Sequence, residues 1–334
     1  MPPALPRSEP LALVADVGGT NTRVALARGT RLVSETVRRY RNTEHSGLPA
    51  VIAAFRETEA LEACDAACVA IAGPVRDGRG TLTNLDWSID EASLAAAAGA
   101  GIAAVLNDLQ AQGHALGHIA AANLRRVVDG AEPQPGAAQL VIGVGTGFNV
   151  APVHWAGDQR LVVAAEAGHE TLPIRNEADF RLARFVEKAH GFAAVEDVLS
   201  GRGLARIFAW LGSEAGDPRE ADAAEIMRLC AEGGDARAAE TVATAVRLLG
   251  CVAGDAALGH LPFGGIFLAG GVARALAPHF DDNGFARAFR DKGRFGEFLN
   301  AFSIDVIEDD FAALTGCASC LAQDARSGRR HVAQ

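Results

Sequence analysis

Short apolar runs that end in glycine or polar residues recur along the chain, and each predicts a β-strand. The first, Leu11–Val17, is rich in β-compatible residues and stops at Gly18-Gly19-Thr20-Asn21, a strong turn signal. Strands predicted at 23–28 and 32–37 follow, so the chain opens as a β-meander rather than as a strand and a helix. Further strands are predicted at 67–72, 103–106, 139–144, 148–153, 265–268 and 303–307.

Helical segments alternate with these strands. They are predicted at 47–62, 90–98, 109–121 and 312–324, with an Ala-rich helical stretch from 176 to 260 interrupted only near 212–220. Two β-rich openings, each followed by helices, predict two related α/β domains rather than one doubly wound sheet. We assign 1–112, completed by the C-terminal helix 312–334, to a small α/β domain, and 113–311 to a large one. Small-molecule sites usually lie in a cleft between such domains.

Length and charge exclude several classes of protein. A chain of 334 residues is too long for a single compact core, and 49% hydrophobic with 22% charged residues is typical of soluble globular proteins. A net charge of −10 disfavours a nucleic-acid partner, because phosphate-backbone binding needs clustered Lys and Arg. No signal-peptide core and no run near the roughly 18 apolar residues of a membrane helix occurs. We expect a cytoplasmic protein.

The turn at residues 18–21, called here the first glycine turn, carries candidate chemistry. A tight turn without Cβ atoms lets backbone amides point at phosphate oxygens, and Thr20 and Asn21 add side-chain hydrogen bonds. Asp16, at the end of the strand, is placed to hold Mg²⁺ through water. On spacing alone, an ordinary Gly-Gly hairpin with polar flanks explains the turn equally well.

Two commoner nucleotide motifs are excluded or disfavoured. No G-x-x-x-x-G-K-[ST] occurs, so the chain is not a P-loop protein. The glycines at 143–147 lack the helix that must follow a dinucleotide fingerprint. Gly145-Thr146-Gly147, called here the second glycine turn, is therefore a second candidate for phosphate binding, and Ala269-Gly270-Gly271 could let an adenine or ribose pack against backbone. Each is compatible with a plain turn; all three in this order favour a nucleotide.

Nine segments in a fixed order carry a more specific signal. Each is weak alone, and together they resemble the bacterial glucokinase family (non-zinc branch) of the hexokinase and actin-like superfamily, over nearly the whole chain. The segments are 15–23 (ADVGGTNTR), 71–74 (IAGP), 83–87 (TNLDW), 107–108 (ND), 145–147 (GTG), 166–169 (EAGH), 196–201 (EDVLSG), 266–271 (IFLAGG) and 291–295 (DKGRF).

The resemblance implies a two-lobed ribonuclease H-like, actin-like ATPase fold of the hexokinase type, with an active site between the lobes. It implies ATP with Mg²⁺, a homodimer, and phosphorylation of D-glucose to glucose 6-phosphate at the entry to glycolysis. Asp108 is the implied catalytic base, and the implied sugar ligands are Asn84, Asn107, Asp108, Glu166, His169 and Glu196. The implied nucleotide-binding residues are Ala15, Asp16, Val17, Gly18, Gly19, Thr20, Asn21, Arg23, Gly145, Thr146, Gly147, Gly270 and Gly271.

The residue chemistry agrees with a sugar substrate, because carboxylates and amides grip hydroxyls in fixed directions. Without the resemblance, Asp108 could be a helix N-cap, Glu196 an acid in a first helical turn and His169 a core histidine. A kinase for another hexose (mannose, fructose or an amino sugar), a catalytically silent sugar sensor and an actin-like ATPase without a sugar acceptor remain alternatives.

Two departures from the family pattern bear on the sugar, one beside the implied sugar site and one just after the second glycine turn. Ala167 stands where the family's Glu-Gly-Gly-His has glycine, which adds a methyl group to the turn. Asn149 stands where the family's Gly-Thr-Gly-Leu-Gly has its last glycine. Because Asn tolerates positive φ better than most residues, we expect that turn to survive. Both departures bear on the choice of sugar.

Overall fold

The computed structural model describes residues 9–82 and 85–327, and within them the chain forms two compact units. The first unit comprises 9–120, 156–162 and 309–327. The second comprises 121–155 and 163–308.

The strands and helices are numbered in chain order. The strands are β1 Leu11–Val17, β2 Asn21–Arg28, β3 Arg31–Leu32, β4 Arg38–Arg41, β5 Cys64–Ile71, β6 Val75–Arg76, β7 Arg79–Thr81, β8 Ser88–Asp90, β9 Ala100–Asn107, β10 Leu124–Val128, β11 Gln139–Val144, β12 Phe148–Ala156, β13 Gln159–Val162, β14 Ile266–Ala269 and β15 Ile304–Ile307. The α-helices are α1 Leu48–Thr58, α2 Glu91–Ala98, α3 Asp108–Ala115, α4 Glu177–His190, α5 Gly201–Glu214, α6 Ala223–Glu232, α7 Ala236–His260, α8 Gly271–Leu276, α9 Phe285–Arg290 and α10 Ala312–Ser327.

The main sheet of the first unit has the order β3-β2-β1-β5-β9, with β4 also paired to β2. The β1–β2 ladder is antiparallel, as the predicted meander requires, whereas β1, β5 and β9 run parallel. Parallel strands bring their carboxyl ends to the same edge of a sheet, and ligands of α/β proteins bind outside that edge. A small sheet, β6-β7-β8, lies between β5 and α2 in the chain.

Successive side chains of β1 point to opposite faces of the sheet, and both faces are covered. Leu13, Ala15 and Val17 belong to a core cluster that also contains side chains of α1 and α2. Ala12 and Val14 point the other way, into a second cluster shared with α10. A strand buried on both faces is apolar throughout, as the sequence of β1 is until Asp16.

Helix α10, from the C-terminal end of the chain, belongs to this unit and packs closely on α3. A Cβ atom at Gly316 would overlap the carbonyl oxygen of Ala111, so glycine is needed at this crossing. Gln323 fastens α10 to β13: its Oε1 accepts from the nitrogen of Arg160, and its Nε2 donates to the Arg160 oxygen, both at 2.8 Å.

In the second unit β11, β14 and β15 are parallel neighbours, flanked by the antiparallel strands β12 and β10. Its core includes Leu140 and Ile142 of β11 together with Leu248 and Leu249 of α7. Among the described residues, α7 alone is long and apolar enough to cross a membrane, but 67% of its most apolar window is buried inside the fold. That burial is typical of a core helix.

The predicted strand at 32–37 is wrong beyond Leu32. The chain bends into a 3-10 turn at Ser34–Thr36 instead. The hydroxyl of Thr36 causes this, because it accepts from the nitrogen of Leu26 (2.9 Å) and donates to the oxygen of Val33 (2.7 Å). A side chain thereby takes the β2 donor that a longer β3 would use.

Two helix predictions are also corrected. The helix predicted at 109–121 ends at Ala115, shortly before the left-handed Gly117 (φ +83°). The helical stretch from 176 to 260 is four helices, with further breaks at 191–200 and 233–235. Gly191 ends α4 in the left-handed region, and Ser200 begins α5 by accepting from the nitrogen of Gly203 at 2.9 Å. The sequence analysis did not predict β4, β6, β7, β8, β10 or β13.

Candidate active site

The first glycine turn joins β1 to β2 at the carboxyl edge of the first unit's sheet. The nitrogen of Gly18 donates to the oxygen of Asn21 at 3.0 Å, which closes the turn. Gly19 and Thr20 lie exposed at its tip. An exposed, tightly closed turn of this kind fits the predicted contact between backbone amides and a phosphate.

Asn42 fastens this turn from behind, and sequence reasoning missed it. The buried carboxamide of Asn42 donates to the oxygen of Gly18 and accepts from the hydroxyl of Thr22, both at 2.8 Å. Its main-chain nitrogen donates to the oxygen of Thr20 at 3.0 Å. Because Asn42 follows β4, more than twenty residues after the turn, no local signal in the sequence could have found it.

Asp16 lies one residue before the end of β1, directly opposite Arg23 in the β1–β2 ladder. Its Oδ2 is 3.5 Å from Nη1 of Arg23, and 20% of its side chain is exposed. Burial raises the pKa of Asp16 above its ordinary value, and the nearby guanidinium of Arg23 only partly opposes this. A carboxylate with so little compensating charge favours a further cation beside it.

Asn107 and Asp108 end β9 and begin α3. Asn107 is the N-cap: its Oδ1 accepts from the nitrogen of Gln110 (2.6 Å), and Gln110 Oε1 accepts from the nitrogen of Asn107 (3.2 Å). The cap alternative considered for Asp108 therefore applies to Asn107. Asp108 is the first residue of the helix, exposed, with its Oδ1 accepting from the nitrogen of Leu109 at 2.9 Å.

Strand register brings Asp16 and Asp108 to the same edge. Val17 pairs with Ile71 of β5, and Ile71 pairs with Asn107 of β9. Asp16 is thus one residue before this row and Asp108 one residue after it, on strands two apart. Two strand spacings are about 10 Å, and the stagger of two residues adds about 7 Å along the strands, so the two main-chain positions are roughly 12 Å apart.

In the second unit, the second glycine turn follows β11, and Gly270-Gly271 follows the neighbouring parallel strand β14. Gly270 has φ +100°, and a Cβ atom there would overlap the oxygen of Val144, so only glycine fits. At Gly145 and Gly271 a Cβ atom would meet nothing within 4 Å. These two glycines leave open space beside the backbone, as a bound nucleotide would require.

Glu196 lies against the second glycine turn. Its Oε2 accepts from the nitrogen of Phe148 at 3.0 Å, and its Oε1 is 3.3 Å from Nη2 of Arg202. A Cβ atom at Gly147 would overlap this carboxylate, which explains the glycine. Glu196 precedes α5, so it is not an acid of a first helical turn.

Glu166 precedes a short 3-10 turn, Ala167–His169, which His169 ends, and both side chains are exposed. The oxygen of Gly168 accepts from the nitrogen of Glu196 at 2.8 Å, so the three predicted sugar ligands of this unit belong to one connected group of turns. The alternative of a core histidine is excluded for His169 by its exposure. Ala167 is half-buried and packs on the core of the unit.

The expectation that Asn149 keeps its turn by adopting a positive φ is wrong. Asn149 is the second residue of β12 and is not among the non-glycine residues with positive φ. Its side chain instead contacts the turn that carries Glu166. Asn149, like Asn42, makes side-chain hydrogen bonds to residues far away in the sequence, which no local pattern could predict. Arg202 lies only six residues from its partner Glu196.

Other predicted residues have plainer positions. Ala15 and Val17 are fully buried in the core, so only their main chain could reach a nucleotide. Asn84 lies outside the described residues. No group of three or more His, Cys, Asp or Glu in the described part of the chain could hold a metal by itself. The residues present fit a Mg²⁺ that arrives with a nucleotide, with Asp16 as the protein's anionic contribution.

Comparison with known proteins identifies the family. The sequence profile described as Glucokinase matches residues 13–324. The chain belongs to the glucokinase family. The Glucokinase of Saccharophagus degradans is 30% identical over 315 residues, covering 93% of this chain and 98% of that protein. That of Pseudomonas paraeruginosa is 32% identical over 329 residues, covering 97% of each. The predicted family and the enzyme class of a hexose kinase are confirmed.

Solved glucokinase structures confirm the predicted two-lobed actin-like fold. The glucokinase of an Antarctic psychrotroph superposes with a TM-score of 0.81 at 26% identity, covering 93% of this chain and 98% of that one. A Balamuthia mandrillaris glucokinase in complex with glucose gives 0.76 at 22% identity, covering 92% of each. A ROK family glucokinase from Streptomyces griseus, in complex with glucose and AMPPNP, gives 0.64 at 19%, covering 94% of this chain and 99% of that one.

Proposed function

We propose that this family member transfers the γ-phosphoryl group of ATP to the 6-hydroxyl of D-glucose, with Asp108 as the general base. Glucose is supported by the family and by its relatives named Glucokinase. ATP is supported by the glycine turns and by the AMPPNP complex of a protein with the same fold. Asp108 would accept the hydroxyl proton as the oxygen approaches phosphorus.

The position of Asp108 is the observation that carries the proposal. It is an exposed carboxylate at the carboxyl edge of the parallel strands, held by the first turn of a capped helix. The same edge presents Asp16 and the first glycine turn, on a strand two places away in the sheet. Since the transition state of phosphoryl transfer is largely dissociative, positioning and charge stabilisation supply most of the acceleration.

The site fits Mg²⁺ and a triphosphate. Bound Mg²⁺ would neutralise charge that develops on the phosphate oxygens, and Asp16 is the residue that would hold it, through water. The amides of the first and second glycine turns would donate to phosphate oxygens, and Gly270 and Gly271 would leave room for the nucleoside. Each of these roles belongs to this chain's own backbone or carboxylates.

We propose that Asn107, Glu166, His169 and Glu196 hold the hydroxyls of the sugar, together with Asn84. Three of them, Glu166, His169 and Glu196, lie on turns that hydrogen-bond to one another. A site built on buried hydrogen bonds rejects a sugar that lacks one hydroxyl, because its own groups are then left unpaired. We expect glucose to be preferred over its epimers and deoxy analogues.

A sugar panel on the purified enzyme, with coupled detection of ADP, tests the proposal. Glucose, mannose, fructose, glucosamine and a no-sugar control would be compared with saturating Mg²⁺ and ATP. The highest kcat/KM for glucose is expected. A higher value for another hexose would change the substrate, and ADP formation independent of any sugar would indicate an ATPase.

We further propose a cytoplasmic homodimer that works at the entry to glycolysis, as the family resemblance implies. Light scattering coupled to size exclusion measures the mass directly, against 34.6 kDa for one chain. A mass near 35 kDa at micromolar protein would contradict the dimer without affecting the proposed reaction.

A further inference from the structure

The side chain of Asn149 bridges two segments of the second unit that are far apart in sequence. Its Nδ2 donates to the oxygen of Ala165 at 2.5 Å and lies 3.3 Å from Oε2 of Glu166. Its Oδ1 accepts from the nitrogen of Ala167 at 3.0 Å and from that of Val150 at 2.8 Å. The two donors and two acceptor positions of the carboxamide are thus all used.

This pattern fixes the orientation of the amide group. Turning it over would place its NH₂ against the two main-chain N–H groups and its oxygen against the Ala165 carbonyl and the Glu166 carboxylate. Donor would then face donor and acceptor would face acceptor. Asn149 therefore holds the main chain on both sides of Glu166 and, with one N–H, the carboxylate itself.

Glycine, which the family pattern has at this position, could make none of these side-chain contacts. Ala167, the other departure from the pattern, is the residue whose nitrogen donates to Asn149. Alanine has a narrower range of backbone conformations than glycine, so both departures restrict the same turn.

We infer that Asn149 is a positioning residue that holds Glu166 in the orientation needed to bind the sugar. Glu166 is otherwise exposed on a short turn, and a flexible carboxylate must lose rotamer freedom when it binds a hydroxyl. Holding it in place beforehand removes that loss from the binding step and strengthens sugar binding. The inference rests on the proposed role of Glu166 as a sugar ligand.

The test combines Asn149→Gly, Glu166→Ala and the double variant with steady-state kinetics for glucose and ATP. Asn149→Gly is expected to raise the KM for glucose about tenfold, since one immobilised side chain is worth roughly that factor in affinity. Its kcat and its KM for ATP are expected to change less than about twofold, because Asn149 contacts no group assigned to the nucleotide. In the Glu166→Ala background, Asn149→Gly is expected to add nothing to the KM for glucose.

The outcomes separate the inference from the function on which it rests. An unchanged KM for glucose in Glu166→Ala would remove Glu166 from the sugar site, and the proposed role itself would fail. A raised KM in Glu166→Ala with a normal KM in Asn149→Gly would overturn only the inference. Additive effects of the two substitutions on the KM for glucose in the double variant would also overturn the inference, because Asn149 would then act independently of Glu166.

Two further variants guard against a purely structural effect. Asn149→Asp keeps the acceptor for Ala167 and Val150 but places an anion beside Glu166, so it is expected to raise the KM for glucose even if Asn149→Gly does not fold. Asn283→Gly is the matched control: its carboxamide donates to the oxygen of His279 at 2.8 Å, in the same unit. Asn283→Gly is expected to lower the melting temperature without changing the KM for glucose or the KM for ATP. A normal KM for glucose in Asn149→Asp would count against the inference.

Discussion

Asp16 and Arg23 face each other across the β1–β2 ladder, with Oδ2 of the acid 3.5 Å from Nη1 of the base. Burial raises the pKa of Asp16 despite this pair. Between the pKa of the unfolded state and the higher pKa of the native state, the native protein binds more protons. Its free energy of unfolding therefore falls as the pH rises through this window.

Asp16→Asn removes this buried charge. At pH 7.5 the variant is expected to unfold at the same urea concentration as wild type or at a higher one, and the difference is expected to shrink as the pH approaches 4. Phosphoryl transfer is expected to fall about a hundredfold or more, because the anionic contact to Mg²⁺ is lost. A variant clearly less stable than wild type at pH 7.5 would contradict the assigned cost of burying Asp16.

Asp108→Asn tests the base. We expect kcat to fall by about 10²–10⁴, the usual contribution of general-base catalysis, while glucose affinity measured by calorimetry stays within a few fold. Glu91→Gln is the matched control, because Glu91 is the first residue of α2 as Asp108 is of α3. Full activity in Glu91→Gln is expected. Substantial formation of glucose 6-phosphate by Asp108→Asn would exclude Asp108 as the base.

Asn42→Ala tests the support of the first glycine turn. Without the carboxamide, the oxygen of Gly18 and the hydroxyl of Thr22 lose their partner, at a cost of about 1–3 kcal/mol in unfolding free energy. The KM for ATP is expected to rise more than the KM for glucose. Thr22→Val, which keeps the bond to Gly18, is expected to have the smaller effect on the KM for ATP. Equal effects on both substrates would contradict a specific role in the turn.

Gly147→Ala and Gly145→Ala form a matched pair in the second glycine turn. A methyl group at Gly147 would overlap the carboxylate of Glu196, so this variant is expected to lower the melting temperature and raise the KM for glucose. A methyl group at Gly145 meets nothing within 4 Å, so the melting temperature is expected to stay unchanged. If the nucleotide occupies that space, Gly145→Ala is expected to raise the KM for ATP and to leave the KM for glucose unchanged. An unchanged KM for ATP would remove Gly145 from the nucleotide site.

Much of the fold could be predicted because its signals are local. Several continuous segments have a pattern that determines what they form. They are the apolar run of β1, the glycines that follow β1, β11 and β14, and the strand before Asp108. The errors came from side chains or single glycines that act at particular points. The Thr36 hydroxyl ends β3 early, Gly117 follows the early end of α3, and Gly191 with Ser200 breaks the long helical stretch around Glu196.

In the candidate site, too, local signals could be predicted and long-range contacts could not. The ordered motifs named Asp16, Asp108, Glu166 and the glycine turns, because each belongs to a short segment with its own chemical signature. The sequence could not show that Asn42 holds Gly18, or that Asn149 holds the turn of Glu166, because those hydrogen bonds join residues 24 and 17 positions apart.

The sequence by itself therefore determined the family and named the residues that are proposed for the site. Only the tertiary structure decided how those residues are held. Asn149 shows the difference: its sequence context suggested a tolerated turn residue, whereas in the folded chain its carboxamide lies between Ala165, Glu166 and Ala167. The physical reason is that a side-chain hydrogen bond needs its partner within about 3 Å, and the path of the chain alone sets which groups come that close.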